Sequence, residues 1–182
     1  MNKSIIGTLT DKTIKIRNLK EKEEYIKEVA ILEHEEWAEN PEENKKERIE
    51  RKINRIKNKL GNKDFCKLIL LKDEDLVGFI SIFPNDCDEC PALTPWYATM
   101  YIKKEYRGKG YSKILNEEVL NEAKKRGYKE IFLKTELSNY YEKFGAIYIR
   151  KLKTGGDTKK RNNCKDKCNN GRNSQNNKRK RI

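Results

Sequence analysis

A glycine-containing turn joins a predicted strand directly to a predicted helix near the middle of the chain. The strand pattern covers residues 96–102, and the turn covers residues 107–112, which read Arg-Gly-Lys-Gly-Tyr-Ser. The helical pattern continues to Arg126 and ends at Gly127, because glycine commonly terminates helices. A strand that leads into a helix within a few residues is typical of layered folds that combine both elements. All-helical bundles and all-β sandwiches are therefore excluded.

Hydrophobic periodicity extends this mixed pattern over most of the chain. Residues 65–71 and 76–83 are apolar runs separated by a charged turn, which predicts a hairpin. Within the strand at 96–102, period-two alternation places the even-numbered residues on one face and the odd-numbered residues on the other. The predicted order is strand, helix, helix, strand, strand, strand, helix, strand, short helix and strand, over residues 13–17, 20–40, 41–60, 65–71, 76–83, 96–102, 111–126, 130–134, 138–144 and 146–149.

The net charge separates a nearly balanced body from a strongly basic tail. The whole chain of 182 residues carries a net charge of +13, but residues 151–182 alone hold 12 basic and 2 acidic residues. Residues 155–182 have no aromatic side chain and many asparagines, so they cannot bury enough apolar surface to offset the entropy cost of ordering. We expect one α/β (α+β) domain over residues 1–154 and a disordered basic tail over residues 155–182, which would contact polyanions nonspecifically.

The sequence shows no pattern of export or membrane insertion. No apolar run approaches the roughly 20 residues that a membrane helix needs, and the N-terminus lacks the apolar core of a signal peptide. We therefore expect a cytoplasmic protein with no membrane contact. The five cysteines are an odd number, and a disulfide framework is disfavoured in that compartment.

Two cysteine pairs have spacings that suit zinc ligands. Cys87 and Cys90 lie in the loop before the strand at 96–102, and Cys164 and Cys168 lie in the basic tail. The two pairs are far apart in sequence, and the second falls in a segment that we expect to be disordered. We therefore expect reduced thiols and no metal.

The turn at residues 107–112 has the chemistry of an anion site. Gly108 and Gly110 allow the backbone to come close to a ligand, and the N-terminus of the following helix adds a positive partial charge. Pyrophosphate would suit such a site. The turn is neither a Walker loop nor a dinucleotide fingerprint, because it lacks the Gly-Lys-Ser/Thr sequence of the first and the third spaced glycine of the second. On these residues alone, a phosphate site and an ordinary surface turn remain equally open.

Three elements together resemble the GNAT superfamily of acetyl-coenzyme A-dependent N-acetyltransferases. Residues 96–102 are similar to its central strand, residues 107–112 to its Arg/Gln-x-x-Gly-x-Gly/Ala turn, and residues 141–146 to its Tyr-x-x-x-Gly element. The resemblance covers about residues 13–152, and Ser112 stands where the family prefers Gly or Ala. It implies a mixed, mostly antiparallel central sheet flanked by helices. No strand pattern follows Ile149, so we expect the family's usual last strand to be missing.

The resemblance also implies an activity and a set of site residues. An acetyl group would pass from acetyl-CoA to a primary amine by direct attack in a ternary complex, with no metal. Backbone groups of the central strand would bind the pantetheine arm, and the turn would hold the pyrophosphate. Tyr141 would protonate the departing thiolate. The alternative for this tyrosine, and for its neighbour Tyr140, is a core position packed over the last strand. The implied cofactor-binding residues are Met100, Tyr101, Ile102, Arg107, Gly108, Lys109, Gly110, Tyr111 and Ser112.

An alkyl ammonium acceptor must lose a proton before it can attack, because its pKa is about 10.4. We assign this general base role to Glu36, and the alternative on the same helix is Glu33. The only histidine, His34, is expected to be a solvated surface residue. Residues 21–43 carry ten glutamates and two lysines, which favours a cationic acceptor. Further candidate bases in the loop before the central strand are Asp86, Asp88 and Glu89.

Two nonenzymatic functions stay open at this level. One is a CoA-binding remnant, and the other is a basic nucleic-acid-associated protein, as the cluster at residues 178–181 suggests. No aromatic residue in the tail can stack on bases. The acceptor is equally open among polyamine-like molecules, aminoglycosides, protein N-termini or lysines, and aminoacyl groups, and a monomer and a homodimer are both compatible with the sequence.

Overall fold

The computed structural model describes residues 14–137, 139–149 and 151–152, together with the backbone of residues 178–181. Within that part of the chain, no helix combines the length and apolar content needed to cross a membrane. The strands are β1 (Ile14–Asn18), β2 (Cys66–Lys72), β3 (Asp75–Phe83), β4 (Trp96–Ile102), β5 (Phe132–Thr135), β6 (Ile147–Tyr148) and β7 (Lys178–Arg181). The α-helices are α1 (Ile26–Trp37), α2 (Lys45–Leu60) and α3 (Tyr111–Lys125).

The strands form one sheet in the order β1-β2-β3-β4-β5-β7-β6. Among these strands only β4 and β5 are parallel neighbours, and the other pairs are antiparallel. This arrangement confirms the predicted fold class, a mixed α/β fold with a mostly antiparallel sheet. The predicted hairpin is also confirmed, with Asp73 and Glu74 at positive φ in the turn between β2 and β3, as a two-residue hairpin turn requires.

The two faces of the sheet carry separate hydrophobic clusters. α3 covers one face, where Leu115 and Leu70 belong to one buried cluster. α1 and α2 cover the opposite face, where Val29 and Ile56 share a second cluster with Ile69. Neighbouring residues of β2 therefore point to opposite sides, and the sheet is buried between two helical layers.

Several predicted helix boundaries differ from the structure. The first predicted helix, over residues 20–40, is two short 3-10 turns followed by α1, which begins at Ile26. The second, expected from Pro41, begins at Lys45, because residues 41–44 form a turn. The short helix predicted over residues 138–144 is a 3-10 turn at Tyr141–Phe144, and Ser138 lies outside the described residues.

The predicted face alternation of β4 is wrong because the strand contains a bulge. Thr99 has a φ of 51°, and the register with β3 shifts between Phe79 and Ser81. As a result, Tyr97 and Ile102 join the same cluster beneath α3, although one is odd-numbered and the other even. An extra residue on one strand reverses the faces beyond it.

A last strand is present, contrary to the expectation that none follows Ile149. β7 (Lys178–Arg181) pairs antiparallel with both β5 and β6. Main-chain hydrogen bonds between two neighbours can hold such a strand without the apolar alternation by which strands are recognised in sequence. Four residues of the expected disordered tail are therefore in the sheet. Residues 155–177, which make up most of that tail, lie outside the described residues.

Candidate functional site

A cleft of about 350 Å³ lies at the end of β4, beside the turn that leads into α3. It gathers nearly all of the residues predicted from the sequence to bind cofactor, together with Glu36 from the end of α1. Tyr106 and Tyr140 also line it, and neither is among the residues predicted from the sequence to bind cofactor. The predicted residues in the lining are Glu36, Met100, Tyr101, Ile102, Arg107, Gly108, Gly110, Tyr111 and Ser112.

The turn before α3 is open on its glycine side. Gly108 and Gly110 have φ values of 76° and 82°, which favour glycine over residues with side chains. A Cβ atom added to either residue would meet nothing within 4 Å. Gly110 is the N-cap of α3 and supplies no side chain to the first N–H groups of the helix. These amides are therefore available to an anion, which the helix N-terminus also attracts.

Arg107 fixes the turn to the end of β4. Its Nε donates to the Ile102 carbonyl oxygen at 2.8 Å, and its guanidinium lies 5.5 Å from the centre of the Tyr101 ring. Its Nη2 is 3.7 Å from Glu36 Oε2 across the cleft. Lys109 behaves differently, because its ammonium donates back to the Glu105 carbonyl oxygen at 2.8 Å. The structure therefore leaves Lys109 outside the cleft lining.

The edge of β4 that faces β5 is largely free of strand partners among the described residues. β4 and β5 are in register only at Trp96 and Phe132, next to a hydrogen bond from the Phe132 N–H to the Pro95 carbonyl oxygen. The two strands separate beyond that point, where residues 100–102 line the cleft. An extended ligand with amide groups can pair with such an edge as an added strand would.

Two adjacent tyrosines occupy different positions at the cleft. Tyr140 lines it and donates from its hydroxyl to Ser112 Oγ at 3.1 Å. Tyr141 is absent from the lining, and its ring packs edge-on against Tyr97 with the ring centres 5.6 Å apart. Burial raises the pKa of Tyr141 to about 12, although a hydrogen bond from Tyr97 opposes this effect. Of the two tyrosines, it is therefore Tyr141 that packs against the core and Tyr140 that lines the cleft.

Of the candidate bases, Glu36 is the one that lines the cleft within the described part of the chain. Glu33 is buried and bound to Lys67, with Glu33 Oε1 2.7 Å from the ammonium. Asp86 lies in the loop before β4, 3.3 Å from the ammonium of Lys134. The structure therefore brings together Glu36, the turn and β4, and it leaves the loop acids outside the cleft lining.

The expectation that His34 is a solvated surface residue is wrong. His34 is 2% exposed, and its Nε2 lies 2.7 Å from the Pro41 carbonyl oxygen. Pro41 begins the turn at residues 41–44 between α1 and α2, so the imidazole is bound to this turn instead of to solvent. The glutamates around His34 suggested a solvent-facing position, but the buried face of α1 also includes Ala30 and Glu33.

The cysteine pair Cys87 and Cys90 is buried in the loop before β4. The Cys90 N–H donates to the Cys87 carbonyl oxygen at 3.0 Å, and both side chains share an apolar cluster with Trp96 and Phe132. Among the described residues, no group of three or more His, Cys, Asp and Glu side chains could hold a metal ion. Cys164 and Cys168, the second half of the zinc hypothesis, lie outside the described residues.

Comparison with known proteins gives a matching family model and a curated relative. The model described as "Acetyltransferase (GNAT) family" matches residues 28–146. N-alpha-acetyltransferase 30 of Schizosaccharomyces pombe is 32% identical over 89 residues, which cover 46% of this chain and 59% of that protein. The chain thus matches less than two thirds of the length of this relative.

Solved structures with a similar fold include two that contain CoA or a CoA conjugate. PaiA N-acetyltransferase from Thermoplasma acidophilum, solved in complex with coenzyme A, is 27% identical with a TM-score of 0.55, over 79% of this chain and 94% of that one. AAC(6′)-Iy, solved with the bisubstrate analogue CoA-S-monomethyl-acetylneamine, is 15% identical with a TM-score of 0.59, over 82% and 99%. At 15% identity, the second comparison bears on the fold alone.

Proposed function

Because the chain belongs to the acetyltransferase (GNAT) family, whose model matches residues 28–146, we propose that it transfers an acetyl group from acetyl-CoA to a primary amine. Family membership makes the protein an acyltransferase. The proposal adds the amine acceptor and a ternary complex that holds both substrates. The observation that carries it is the open glycine turn at the N-terminus of α3, next to the separated edge of β4.

The cleft residues fit the two polar parts of acetyl-CoA. The amides of residues 108–112 and the guanidinium of Arg107 would hold the pyrophosphate, because they combine open backbone N–H groups with a positive charge. The β5-facing edge of residues 100–102 would bind the amide groups of the pantetheine arm. When bound, acetyl-CoA supplies the acetyl group activated as a thioester. This fit is supported by the absence of any atom within 4 Å of a Cβ built at Gly108 or Gly110.

Tyr141 is the proposed general acid, and Tyr140 is its immediate alternative. A general acid must keep its proton at neutral pH and must reach the departing group. Burial raises the pKa of Tyr141 to about 12, so its hydroxyl stays protonated. Tyr140 lies in the cleft lining, where its hydroxyl is bound to Ser112. We assign proton donation to Tyr141, because it occupies the tyrosine position of the Tyr-x-x-x-Gly element, and we assign Tyr140 to holding the turn through Ser112.

Glu36 is the proposed general base. Its carboxylate lines the cleft, where it would attract a cationic amine and accept its proton. The ion pair with Arg107 spans 3.7 Å between side chains that are 38% and 48% exposed. Exposed pairs of this kind contribute at most about 1 kcal/mol. Glu36 can therefore exchange Arg107 for a substrate cation at little cost.

The first acceptors to test are peptide α-amines. The curated relative is named as an N-alpha-acetyltransferase, and an α-amino group has a pKa of about 8, compared with about 10.4 for a lysine side chain. More of the α-amine is neutral at pH 7, so it demands less of a base. Polyamines, aminoglycosides and lysine side chains complete the set of primary amines.

A binding experiment with two glycine variants tests the cofactor site. We expect acetyl-CoA to raise the melting temperature of the wild-type protein and to give no shift with Gly110→Glu, because bulk and negative charge then occupy the phosphate position. Gly127→Glu is the matched control. Gly127 also has a positive φ, of 83°, and open surroundings, but it follows α3 and lies outside the cleft lining. An absent shift in the wild-type protein would refute the proposed function.

A further inference from the structure

A lysine lies in the interior of the sheet, although ammonium groups are rarely buried without partners. Lys67 belongs to β2 and is 1% exposed. Its Nζ lies 2.7 Å from Glu33 Oε1, 2.6 Å from Ser81 Oγ and 3.4 Å from Thr99 Oγ1. An ammonium has three N–H donors, and three oxygens surround this one. We call these four residues the Lys67 network.

The Lys67 network connects three elements to the strand that carries the lysine. Glu33 lies on α1, Ser81 on β3 and Thr99 on β4. The Thr99 hydroxyl also donates to Ser81 Oγ at 2.8 Å. The second Glu33 oxygen, Oε2, lies 3.6 Å from the ammonium of Lys52 on α2. The network therefore joins the helical layer on one side of the sheet to the middle of β4.

Thr99 is the strained member of the network. Its φ of 51° is in the left-handed region, which a β-branched residue strongly disfavours. Such a conformation persists only where the surrounding structure imposes it. Between the pairs Phe79–Tyr101 and Ser81–Ala98, β4 has one residue more than β3. Thr99 is therefore part of the bulge, and its hydroxyl is held by the network.

The bulge determines which face of β4 each of the following residues occupies. Met100, Tyr101 and Ile102 follow Thr99 and line the cleft. Without the bulge, each of these side chains would move to the opposite face of the sheet. Lys67 also contacts β4 indirectly, because its ammonium lies 4.9 Å from the ring centre of Phe79 on β3. Phe79 in turn stacks on Tyr101 with the ring centres 5.4 Å apart.

We propose that Lys67 is a positioning residue that holds the β4 bulge at Thr99 and so sets the geometry with which β4 meets acetyl-CoA. This inference rests on the proposed function, in which residues 100–102 bind the cofactor. Lys67 is outside the cleft lining and acts through Thr99. Ser81 transmits this effect, because its hydroxyl oxygen accepts from both Lys67 and Thr99.

Substitution of Lys67 and Thr99, singly and together, tests this role. Lys67→Met keeps a long side chain and removes the ammonium, so we expect the Kd for acetyl-CoA, measured by calorimetry, to rise at least tenfold. Thr99→Gly allows a positive φ without strain, so the bulge no longer depends on the lysine. The double variant should therefore bind within about threefold of Thr99→Gly alone. If Lys67 only stabilised the fold, Thr99→Gly would not restore binding in the Lys67→Met variant. It would remove the Thr99 hydroxyl, which is another hydrogen-bonding group of the same network.

The bulge can also be observed without cofactor. In NMR spectra, the cross-strand NOE between backbone protons of Phe79 and Tyr101, which are paired across β3 and β4, should be lost in Lys67→Met and should return in the double variant. If wild-type protein fails to bind acetyl-CoA, the proposed function fails, but this NMR comparison still tests the role of Lys67. A Lys67→Met variant that keeps both the contact and the wild-type Kd would overturn the inference. A double variant that remains as impaired as Lys67→Met would overturn it as well.

Two further variants distinguish the proposed role of Lys67 from a general loss of stability. Ser81→Ala leaves the Lys67–Glu33 pair intact and removes the oxygen shared with Thr99. If Lys67→Met does not fold, we expect Ser81→Ala to weaken acetyl-CoA binding and Thr99→Gly to restore it, and an unchanged Kd would contradict the proposal. Arg126→Met is the control, because it removes a guanidinium paired at 2.7 Å with Glu122 on α3. It should lower the melting temperature and leave the Kd unchanged.

Discussion

Thr99 has a left-handed backbone in the middle of β4, a conformation that no local pattern in the sequence predicts. The side chains that hold Thr99 come from β2 and β3, and Glu33 on α1 in turn binds Lys67; all of these residues are distant from Thr99 in sequence. For the same reason, the apolar run at residues 65–71 contains no sign that Lys67 is the centre of a buried network. Residue types and spacing identify Gly108 and Gly110, because the local turn itself requires them. They do not identify residues whose role depends on tertiary contacts.

The two tyrosines at the cleft should have separable roles. We expect Tyr141→Phe to lower kcat by about 100-fold, in line with the contribution of a general acid, while the Kd for acetyl-CoA changes by less than about twofold. Tyr140→Phe removes the hydroxyl that binds Ser112 and should weaken acetyl-CoA binding with a smaller effect on kcat. Steady-state kinetics together with calorimetry separate the two effects. An unchanged kcat in Tyr141→Phe would remove it as the proton donor.

The buried carboxylate of Glu33 makes stability depend on pH in the acid range. Burial would raise its pKa, but the ammonium groups of Lys67 and Lys52 outweigh burial and hold the pKa below the usual 4.5. Because the folded-state pKa is lowered, this stabilisation is fully present above the unfolded-state pKa and is lost as pH falls through the folded-state value. Glu33→Gln should therefore reduce stability at pH 7 by about 3 kcal/mol and flatten its acid dependence.

Urea unfolding at a series of pH values checks the role of Glu33. Glu117→Gln is a suitable control, since Glu117 is exposed and lies 3.8 Å from the ammonium of Lys113 on the surface of α3. We expect the control to follow the wild-type pH profile. A Glu33→Gln profile parallel to that of the wild-type protein would show that the buried pair is not the source of the acid sensitivity.

At the level of elements, sequence periodicity predicts the strands that are apolar or alternating. The bounds of β4 agree with the prediction, and β2 and β3 form the expected hairpin. β7 is not predicted, because its four residues are all basic and show no apolar alternation. Its position in the sheet comes from pairing with β5 on one side and β6 on the other. The separation of β4 from β5 also has no signal within either strand. It follows from a register that pairs them only at Trp96 and Phe132.

A proline in β7 should destabilise the end of the sheet. Lys180 pairs with Leu133 on β5 and with Tyr148 on β6, and proline lacks the N–H that a central strand needs. We expect Lys180→Pro to lower the free energy of unfolding by about 1–3 kcal/mol, because it leaves a ladder carbonyl without its N–H partner. The control is Asn170→Pro in the same basic tail. Thermal unfolding followed by circular dichroism gives the melting temperature of each variant. Equal melting temperatures for the two variants would argue against β7 as a sheet strand.

At the level of the whole molecule, the net charge of +13 says less about function than one cleft does. The family match spans residues 28–146 and includes most of α1 and all of β4 and α3, whose ends meet at the cleft. α1 contributes the acidic side of the cleft through Glu36, and the turn before α3 contributes the basic side through Arg107. This division suits a reaction between an anionic cofactor and a cationic acceptor.

Transfer of an isotopic label tests the central claim most directly. The protein is incubated with acetyl-CoA labelled with carbon-13 in the acetyl group and with a panel of peptide α-amines, polyamines, aminoglycosides and lysine peptides, and the products are analysed by mass spectrometry. The proposed function predicts that the labelled acetyl group appears on at least one amine with wild-type protein and Gly127→Glu, but not with Gly110→Glu. Label on no amine, or equal labelling by Gly110→Glu, would contradict it.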